Sequence, residues 1–475
     1  MGASIRTQVL VVGGGPGGYV AAIRAGQLGL ETTLVEADRL GGTCLIRGCI
    51  PSKALIHVAT KYADLQRHAA APHLGIRLSA PPQFDLTEAV QWKDGIVDRL
   101  SGGVAGLLKK AKVRVVHGWV QFSDAKTCVV KGEDGETPDA QTLIHAEHVI
   151  LATGSVSAAL PQLPLGGDVI SSTEALSLAE LPQRLVVVGA GYIGLEMGIA
   201  FAKLGVEVRF VEAMDRILPT YDAALVRPVE QWLKQHGVAV HLSTKALGVE
   251  QGDAGVSLTV QSGDAAPQTL DCDKLLVAIG RRPNTQGWGL EQMAVDMNGP
   301  FVRVDAQCRT SMHNVWAIGD LVGEPMLAHK ASAQGEMVAE IIAGRRRAFE
   351  PNAIAAVCFT EPEIVAVGLS PDQARAQHLE IVTGQFPFAA NGRSLTMQAG
   401  ADGGFVRVVA RADTHQVIGI QAVGAHASEL SGEFALAIEM GAVLEDIVGT
   451  IHAHPTMSET FPEAAMAALG HAIHI

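Results

Sequence analysis

The segment GGTCLIRGCIPSK, residues 41–53, contains Cys44 and Cys49 with four residues between them. Such a pair could ligate a metal, brace the fold as a disulfide, or open and close as a redox pair. Zinc sites usually combine two short pairs of Cys or His ligands. The compact pair considered for the other half of such a site, His452 and His454, lies far along the chain. The spacing therefore gives the metal interpretation little support.

The residues around the second cysteine favour redox chemistry. The stretch from Cys49 to Tyr62, CIPSKALIHVATKY, predicts a helix with Pro51 in its first turn, so Cys49 is expected at or near the helix N-terminus. A helix N-terminus lowers a thiol pKa and favours the thiolate. The remaining cysteines are scattered singly among apolar neighbours and are predicted to be small core residues; they are Cys128, Cys272, Cys308 and Cys358.

Composition limits the class of protein. The chain has 475 residues, of which 48% are hydrophobic and 18% charged, as in a globular protein of several domains. The formal net charge of −13 argues against a nucleic-acid-binding surface. The first residues lack the order of an export signal, and no apolar run reaches the roughly 18 residues of a membrane helix. We expect a cytoplasmic protein, in which a purely structural disulfide is disfavoured.

A repeat organises the chain. Residues 7–38 predict an apolar strand, a glycine-rich turn, a helix and a second strand, and residues 183–215 predict the same order. The glycines of the two turns are Gly13, Gly15 and Gly18, and Gly189, Gly191 and Gly194. In such a turn the first glycine permits the tight bend, the second lets a pyrophosphate approach, and the third lets helix and strand pack closely. The sequence therefore predicts two dinucleotide sites.

Each repeat ends its second strand with an acid, Glu36 in the first and Glu212 in the second. Both lie 18 residues after the third glycine, where a carboxylate can accept hydrogen bonds from ribose hydroxyls. At the second site Glu212 would repel a 2′-phosphate, and no arginine cluster follows it, although Arg216 is near. The second site is thus predicted to bind NAD rather than NADP.

Two further segments frame these repeats. Residues 148–161 predict a strand followed by Thr153 and Gly154 and a proline-punctuated link, which indicates a crossing between domains. The segment TSMHNVWAIGD places Asp320 between an apolar strand and a helix, and spacing alone leaves a capping role and a ligand role equally open. After Glu350 the pattern changes to paired strands with a turn near Asp413, which predicts an α+β domain.

Taken together, the motifs GGTCLIRGCIPSK, GAGYIGLE, TSMHNVWAIGD and HAHPTMSE resemble those of the pyridine nucleotide-disulfide oxidoreductases over essentially the whole chain. Within that family the chain is most similar to members that oxidise dihydrolipoamide with NAD. The resemblance implies an α/β fold of two Rossmann-like domains and a C-terminal α+β dimerisation domain. The expected divisions are residues 1–152 for FAD, 153–280 for NAD, 281–350 for a central domain completing the FAD site, and 351–475 for dimerisation.

The resemblance also implies roles for individual residues. Cys49 would face the flavin as the thiolate, and Cys44 would exchange with the substrate sulfur. Lys53 and Glu196 would form an ion pair beside the flavin, and Tyr192 would cover the nicotinamide pocket. The other expected cofactor residues follow. For FAD they are Gly13, Gly15, Gly18, Glu36, Thr153, Gly154 and Asp320; for NAD they are Gly189, Gly191, Gly194, Glu212 and Gly280.

The motif HAHPTMSE supplies a base. Oxidation of a dithiol releases two protons, and imidazole has the unperturbed pKa best placed to accept them at neutral pH. By the resemblance His454 is the base and Glu459 orients it. In the family this base reaches the disulfide of the other subunit, which implies an obligate homodimer whose partners are the lipoyl domains and acyltransferase core of a 2-oxo acid dehydrogenase complex.

Some features leave alternatives open. The family usually has Asn and an aliphatic residue where this chain has Ile46 and Arg47, and Arg47 would lower a thiolate pKa if it pointed toward the sulfurs. Another flavin disulfide reductase and a non-catalytic flavin-bound scaffold are the rival functions. The linker at residues 67–82 and the tail GHAIHI resemble the form that serves a branched-chain 2-oxo acid dehydrogenase complex.

Overall fold

The computed structural model describes residues 4–71, 74–132, 141–253 and 255–475. The strands are β1 Ser4–Val12, β2 Thr32–Glu36, β3 Arg114–His117, β4 Trp119–Phe122, β5 Thr127–Lys131, β6 Thr142–Leu151, β7 Ser155–Ser157, β8 Val169–Ile170, β9 Arg184–Val188, β10 Glu207–Val211, β11 Ala239–His241, β12 Thr244–Gly252, β13 Gly255–Ser262, β14 Gln268–Cys272, β15 Lys274–Val277, β16 Arg281–Pro283, β17 Met297–Asn298, β18 Phe301–Val302, β19 Val315–Ala317, β20 Ala356–Cys358, β21 Glu363–Gly368, β22 Ile381–Pro387, β23 Phe405–Arg411 and β24 Val417–Gly424.

The α-helices are α1 Pro16–Gln27, α2 Gly42–Arg47, α3 Cys49–Ala70, α4 Leu86–Lys110, α5 Ser172–Ala175, α6 Tyr192–Lys203, α7 Ala223–Gln235, α8 Ala328–Ile342, α9 Pro371–Ala376, α10 Gly392–Thr396, α11 Ser431–Glu439, α12 Leu444–Gly449 and α13 Thr460–Ala468. The predicted linker at 67–82 begins inside α3, which ends at Ala70, and its residues 72 and 73 lie outside the described residues.

The first repeat contributes to a sheet in the order β3-β2-β1-β6-β5-β4. Strand β5 pairs with the first part of β6, and β19 pairs with its last three residues. The pairs that β1 makes with β2 and β6 are parallel, as is the pair of β6 with β19. Val9, Leu10 and Val11 are fully buried, because a parallel sheet covered on both faces requires continuous apolar runs. Residues 315–317 therefore belong to the first sheet, although they are distant from its other strands in the sequence.

The second repeat builds a parallel sheet in the order β11-β10-β9-β15-β8. The carboxyl ends of β9 and β15 lie side by side, and parallel α/β sheets bind ligands at that edge. Strand β10 ends at Val211, one residue before the predicted end at Glu212. The second sheet thus repeats the arrangement of the first, and the two predicted Rossmann-like units are confirmed.

The two glycine turns have nearly the same backbone. Gly13 and Gly189 both have φ of +102°, and a Cβ on either would lie within 2.5 Å of a carbonyl oxygen, of Ala152 in the first turn and Ala278 in the second. A Cβ on Gly18 or Gly194 would lie within 2.0 Å of the carbonyl oxygen of the first glycine in its turn. Side chains are therefore excluded at the first and third glycines of both turns.

The C-terminal unit is an antiparallel sheet in the order β20-β21-β24-β23-β22. Strands β23 and β24 form the predicted hairpin around Asp413, and α11 and α13 cover the sheet through Phe434 and Phe461, whose rings pack edge to face. This arrangement confirms the predicted α+β unit and, with the mixed first sheet and the parallel second sheet, the predicted fold class.

The units contact one another through helices. Helix α1 packs closely on α8, where a Cβ on Gly335 would lie 2.3 Å from the carbonyl oxygen of Gly17. Helix α3 packs on α6, and Leu55 enters the core cluster around the second sheet. The four cysteines predicted to be core residues are free and buried, as expected. Among the described residues, none of the helices combines the length and hydrophobicity that crossing a membrane requires.

Two glycines of the second turn predict different effects of adding a methyl group. In Gly194→Ala the new Cβ collides with the Gly189 carbonyl, so the free energy of unfolding should fall by about 1–3 kcal/mol. Gly191 has open space around the position of a Cβ and an extended backbone, so Gly191→Ala should change it by less than about 0.5 kcal/mol. Urea unfolding measures both, and equal losses would contradict the packing described here.

Candidate active site

The first glycine turn opens into a cavity of about 380 Å³ that extends to α6 and to the segment before α8. Most of the predicted site residues lie on its wall: Gly13, Gly15, Glu36, Cys44, Cys49, Lys53, Thr153, Gly154, Tyr192, Glu196 and Asp320. Gly18 stands behind the wall, where it lets α1 pack against the turn. The structure therefore brings together residues from the first repeat, the cysteine segment and the second repeat.

Part of the cavity wall is bare backbone. Gly15 is the N-cap of α1, and a Cβ on Gly42 would lie 2.4 Å from the Gly15 Cα, so α2 begins directly against the turn. The start of the twelve-residue helix α1 presents free amides and partial positive charge to the cavity. These features fit the pyrophosphate of a dinucleotide.

The acid of each repeat is held by backbone amides. Glu36 Oε2 accepts from the Gly14 N–H at 2.6 Å and Oε1 accepts from the Asp38 N–H at 2.8 Å. Burial raises the pKa of Glu36, and the Gly14 amide opposes that rise. The cavity-lining carboxylate is thereby oriented, and its remaining lone pairs fit ribose hydroxyls.

Glu212 has the same arrangement in the second repeat. Its Oε2 accepts from the Ala190 N–H at 2.7 Å and its Oε1 from the Met214 N–H at 2.9 Å. The nearby Arg216 donates to the carbonyl oxygen of Pro219. The second site thus presents a fixed acid and an arginine that already has a partner, an arrangement suited to an unphosphorylated ribose.

A disulfide joins Cys44 in α2 to Cys49, the first residue of α3. Both cysteines line the cavity. The predicted helix start at Cys49 is confirmed, so the thiolate released on reduction would lie at the positive end of a 22-residue helix. This position favours Cys49 as a leaving thiolate.

Arg47, the residue that departs from the family pattern, forms an ion pair with Asp38 on the cavity wall. Its guanidinium therefore has an acidic partner two residues beyond Glu36 in the chain. The hypothesis that Arg47 lowers a thiolate pKa stays a prediction.

Lys53 and Glu196 form the predicted ion pair, with Lys53 Nζ 2.7 Å from Glu196 Oε2. The pair joins α3 to α6 across the cavity wall. The Glu196 side chain is 5% exposed and that of Lys53 is 33% exposed. The other carboxylate oxygen of Glu196 accepts from the Phe359 N–H at 2.9 Å. The carboxylate is thus buried with a partner on each oxygen.

Asp320 belongs to a network that the sequence did not reveal. Its Oδ2 accepts from the Ser155 hydroxyl at 2.5 Å, and Arg281 donates to that hydroxyl and to the Ser155 carbonyl oxygen, both at 2.7 Å. Burial lowers the pKa of Arg281, and Asp320 opposes that effect. Arg281 lines the cavity. The sequence feature that could have identified it is its position directly after Gly280, a predicted site residue.

Two predicted nicotinamide-site residues lie at the second sheet. Tyr192 is the first residue of α6 and is 40% exposed, yet desolvation of its phenol raises the phenol pKa to about 12, so the phenol is neutral at physiological pH. Gly280 follows β15 and accepts from the Ala158 N–H at 3.0 Å. It lies beyond the carboxyl end of the strand that neighbours β9, off the cavity wall.

His454 and Glu459 form the predicted pair on the C-terminal unit. His454 Nδ1 lies 2.9 Å from Glu459 Oε1, and Glu459 Oε2 accepts from the Thr456 N–H at 2.8 Å. Burial would raise the Glu459 pKa, but the Thr456 amide and the His454 ring together hold it below its usual value. The His454 side chain is 79% exposed and lies off the cavity wall, so one chain alone leaves the disulfide without this imidazole.

A metal centre has no candidate in the described part of the chain. No group of three or more His, Cys, Asp or Glu side chains there is placed to hold a metal ion. The cysteine pair is instead engaged in the disulfide.

Two family models match the chain. Residues 7–335 match the pyridine nucleotide-disulphide oxidoreductase model, and residues 354–465 match the dimerisation domain of the same family. Similar curated proteins include a dihydrolipoyl dehydrogenase of Pseudomonas aeruginosa, 58% identical with 99% of each chain covered, and one of Halobacterium salinarum, 48% identical with 99% of this chain and 98% of the relative covered.

Solved structures agree with these matches. LpdA from Mycobacterium tuberculosis superposes with a TM-score of 0.88 at 29% identity, covering 97% of this chain and 99% of that one. The HOCl-induced flavoprotein disulfide reductase RclA from Escherichia coli superposes with a TM-score of 0.83 at 25% identity, covering 96% and 99%. The relatives are thus similar along the full length of the chain.

The Lys53–Glu196 pair predicts an asymmetry between its two members. Lys53→Met leaves a buried carboxylate without its cation, so the free energy of unfolding should fall by about 3–5 kcal/mol. Glu196→Gln leaves an ammonium that is one-third exposed and can still be hydrated, so its loss should be smaller. Urea unfolding with matched m values tests the order, and an equal or reversed order would contradict the burial described.

Proposed function

Since the chain belongs to the pyridine nucleotide-disulphide oxidoreductase family and, within it, to the dihydrolipoyl dehydrogenases, we propose that it oxidises protein-bound dihydrolipoamide to lipoamide with FAD and NAD as cofactors. The observation that carries the proposal is the Cys44–Cys49 disulfide on the wall of the dinucleotide cavity. When bound, FAD takes up the electron pair of the dithiol and NAD receives it as hydride.

The cysteines exchange with the substrate. A thiolate of dihydrolipoamide attacks the Cys44 sulfur, the Cys44–Cys49 bond breaks, and Cys49 leaves as a thiolate stabilised by the α3 N-terminus. The second substrate thiol then attacks the mixed disulfide, releasing Cys44 and cyclic lipoamide. Two electrons and two protons have then left the substrate. His454 accepts protons in these steps, and ionised Glu459 holds its ring.

The remaining site residues position the cofactors. Gly13 and Gly15 admit the first dinucleotide, Gly18 lets α1 pack against their turn, and Glu36 receives the ribose. Asp320 with Ser155 faces the same cavity, which Lys53 and Glu196 also line. Gly189, Gly191, Gly194, Glu212 and Gly280 form the second nucleotide site, beside Tyr192. The proposed domains are residues 1–152 for FAD, 153–280 for NAD, 281–350 for the central domain and 351–475 for dimerisation.

We further propose that the protein is a cytoplasmic homodimer in a 2-oxo acid dehydrogenase complex, with lipoyl domains and an acyltransferase core as partners. Residues 354–465 match the family's dimerisation domain, and exposed His454 lies within that range. The four free buried cysteines suit a reducing compartment. We propose specifically that the complex it serves is a branched-chain 2-oxo acid dehydrogenase complex.

An assay of the purified flavoprotein tests the activity. Dihydrolipoamide with NAD should yield NADH, whereas glutathione disulfide with NADPH should give no turnover. Flavin-loaded protein that leaves dihydrolipoamide unoxidised would refute the substrate, and turnover of glutathione disulfide would support the rival reductase function.

The base is tested by substitution. His454→Gln should lower kcat for dihydrolipoamide oxidation by roughly 10²- to 10⁴-fold, because the released protons lose their acceptor. The matched control is His415→Gln, which also removes an exposed imidazole paired with a glutamate, here Glu445 at 2.6 Å. The control should keep wild-type kcat, and an equal loss in both variants would count against His454 as the base.

The subunit that supplies the base is tested by complementation. Homodimers of Cys44→Ser and of His454→Gln should each be impaired. A heterodimer of the two holds one site with both residues intact, provided that His454 acts across the interface. Purified, differently tagged heterodimers should therefore show about half the activity of the wild-type dimer, by the count of intact sites. Heterodimers as impaired as the parents would place the base in the same chain as the disulfide.

A further inference from the structure

Phe359 connects the C-terminal unit to the buried ion pair. It follows β20 directly, and its backbone N–H donates to Glu196 Oε1 at 2.9 Å. Its ring centroid lies 4.4 Å from Lys53 Nζ. One residue therefore contacts the carboxylate through its amide and the ammonium through its ring.

These two contacts restrict the pair in complementary ways. A buried carboxylate is costly unless its oxygens have partners, and Glu196 obtains them from Lys53 and from the Phe359 amide. An ammonium within about 6 Å of a ring centroid is attracted to the aromatic face. The end of the flexible Lys53 side chain is thus located by a carboxylate and a ring together.

The segment that carries Phe359 is anchored a second time. Glu361 forms an ion pair with Lys203, and Lys203 Nζ also donates to Thr60 Oγ1 at 2.9 Å. Thr60 lies seven residues after Lys53 on α3, and Lys203 lies seven residues after Glu196 on α6. Seven residues are about two helical turns, so both anchors use the same helix faces. The segment from Phe359 to Glu361 therefore contacts the α3–α6 interface at two points, about two helical turns apart.

We propose that Phe359 is a positioning residue that fixes the Lys53–Glu196 pair at the cavity wall. The effect on turnover rests on the proposed function, because it requires the pair to lie beside the cofactor during dihydrolipoamide oxidation. The positioning itself rests only on contacts within this chain. The C-terminal unit thereby contributes to the cavity as well as to the dimer.

A double-mutant cycle on the flavin-loaded protein tests the contact between ring and ammonium. Phe359→Leu keeps the backbone amide and an apolar side chain, so comparing its effect with and without Lys53→Met isolates the ring. Phe359→Leu should raise the unfolding equilibrium constant in both backgrounds. The fold-increase in wild type should be roughly 2- to 30-fold larger than the fold-increase in the Lys53→Met background. Identical factors in the two backgrounds would overturn the proposal.

Phe386 provides a control, because it is a buried phenylalanine of β22, in the sheet that β20 also joins, and lies in the separate core around Phe434. Phe386→Leu should change the unfolding equilibrium constant by the same factor whether or not Lys53 is present. Coupling of Phe386 with Lys53 as strong as that of Phe359 would show that the cycle reports general destabilisation, and would also overturn the proposal.

Rescue by an aromatic residue gives a second, independent readout. Phe359→Leu should lower kcat by roughly 2- to 30-fold and shift the reduction potential of the bound flavin, whereas Phe359→Tyr should retain wild-type values of both. A tyrosine variant as impaired as the leucine variant would refute the role of the ring. The unfolding cycle uses no substrate, so failure of the proposed function and failure of this inference are distinguishable.

Discussion

The carboxylate of Glu196 is the constraint on which the arrangement of the three units depends. It is 5% exposed, and a buried charge is tolerated only when its oxygens are paired. One oxygen is paired with Lys53 from the cysteine-bearing helix and the other with the Phe359 amide from the C-terminal unit, while Glu196 itself belongs to the second repeat. Three segments distant in sequence must therefore meet at one point before the charge is satisfied, and that point lies on the cavity wall beside the disulfide.

The cavity divides its tasks between backbone and side chains. The first glycine turn and the start of α1 offer amides and open space for the anionic part of a dinucleotide, whereas the fixed carboxylate of Glu36 faces a position that suits ribose hydroxyls. The disulfide supplies exchangeable sulfur, but the imidazole that would accept protons lies off the wall, on the dimerisation domain. One chain thus lacks this imidazole at its cavity, and under the proposed function a second copy supplies it.

The sequence predicted the features that short motifs encode. Two glycine turns, their acids, the helix beginning at Cys49 and the β23–β24 hairpin follow from local patterns, and the structure has them within a residue or so. Contacts between distant segments had no such pattern. The network of Ser155, Arg281 and Asp320 joins three segments, and Phe359 meets Glu196 across 163 positions. These partners are selected by packing of whole units, which no single segment encodes.

Differential alkylation of the reduced enzyme tests the central claim, that the disulfide lies between the cofactor cavity and the approaching substrate. Anaerobic protein reduced with dihydrolipoamide would be treated with iodoacetamide, with and without bound flavin, and peptides carrying Cys44 and Cys49 would be quantified by mass spectrometry. Cys44 should react in both forms, whereas Cys49 should react in the flavin-free form and be protected when the cavity is filled. Equal labelling of Cys49 in the two forms would contradict the central claim.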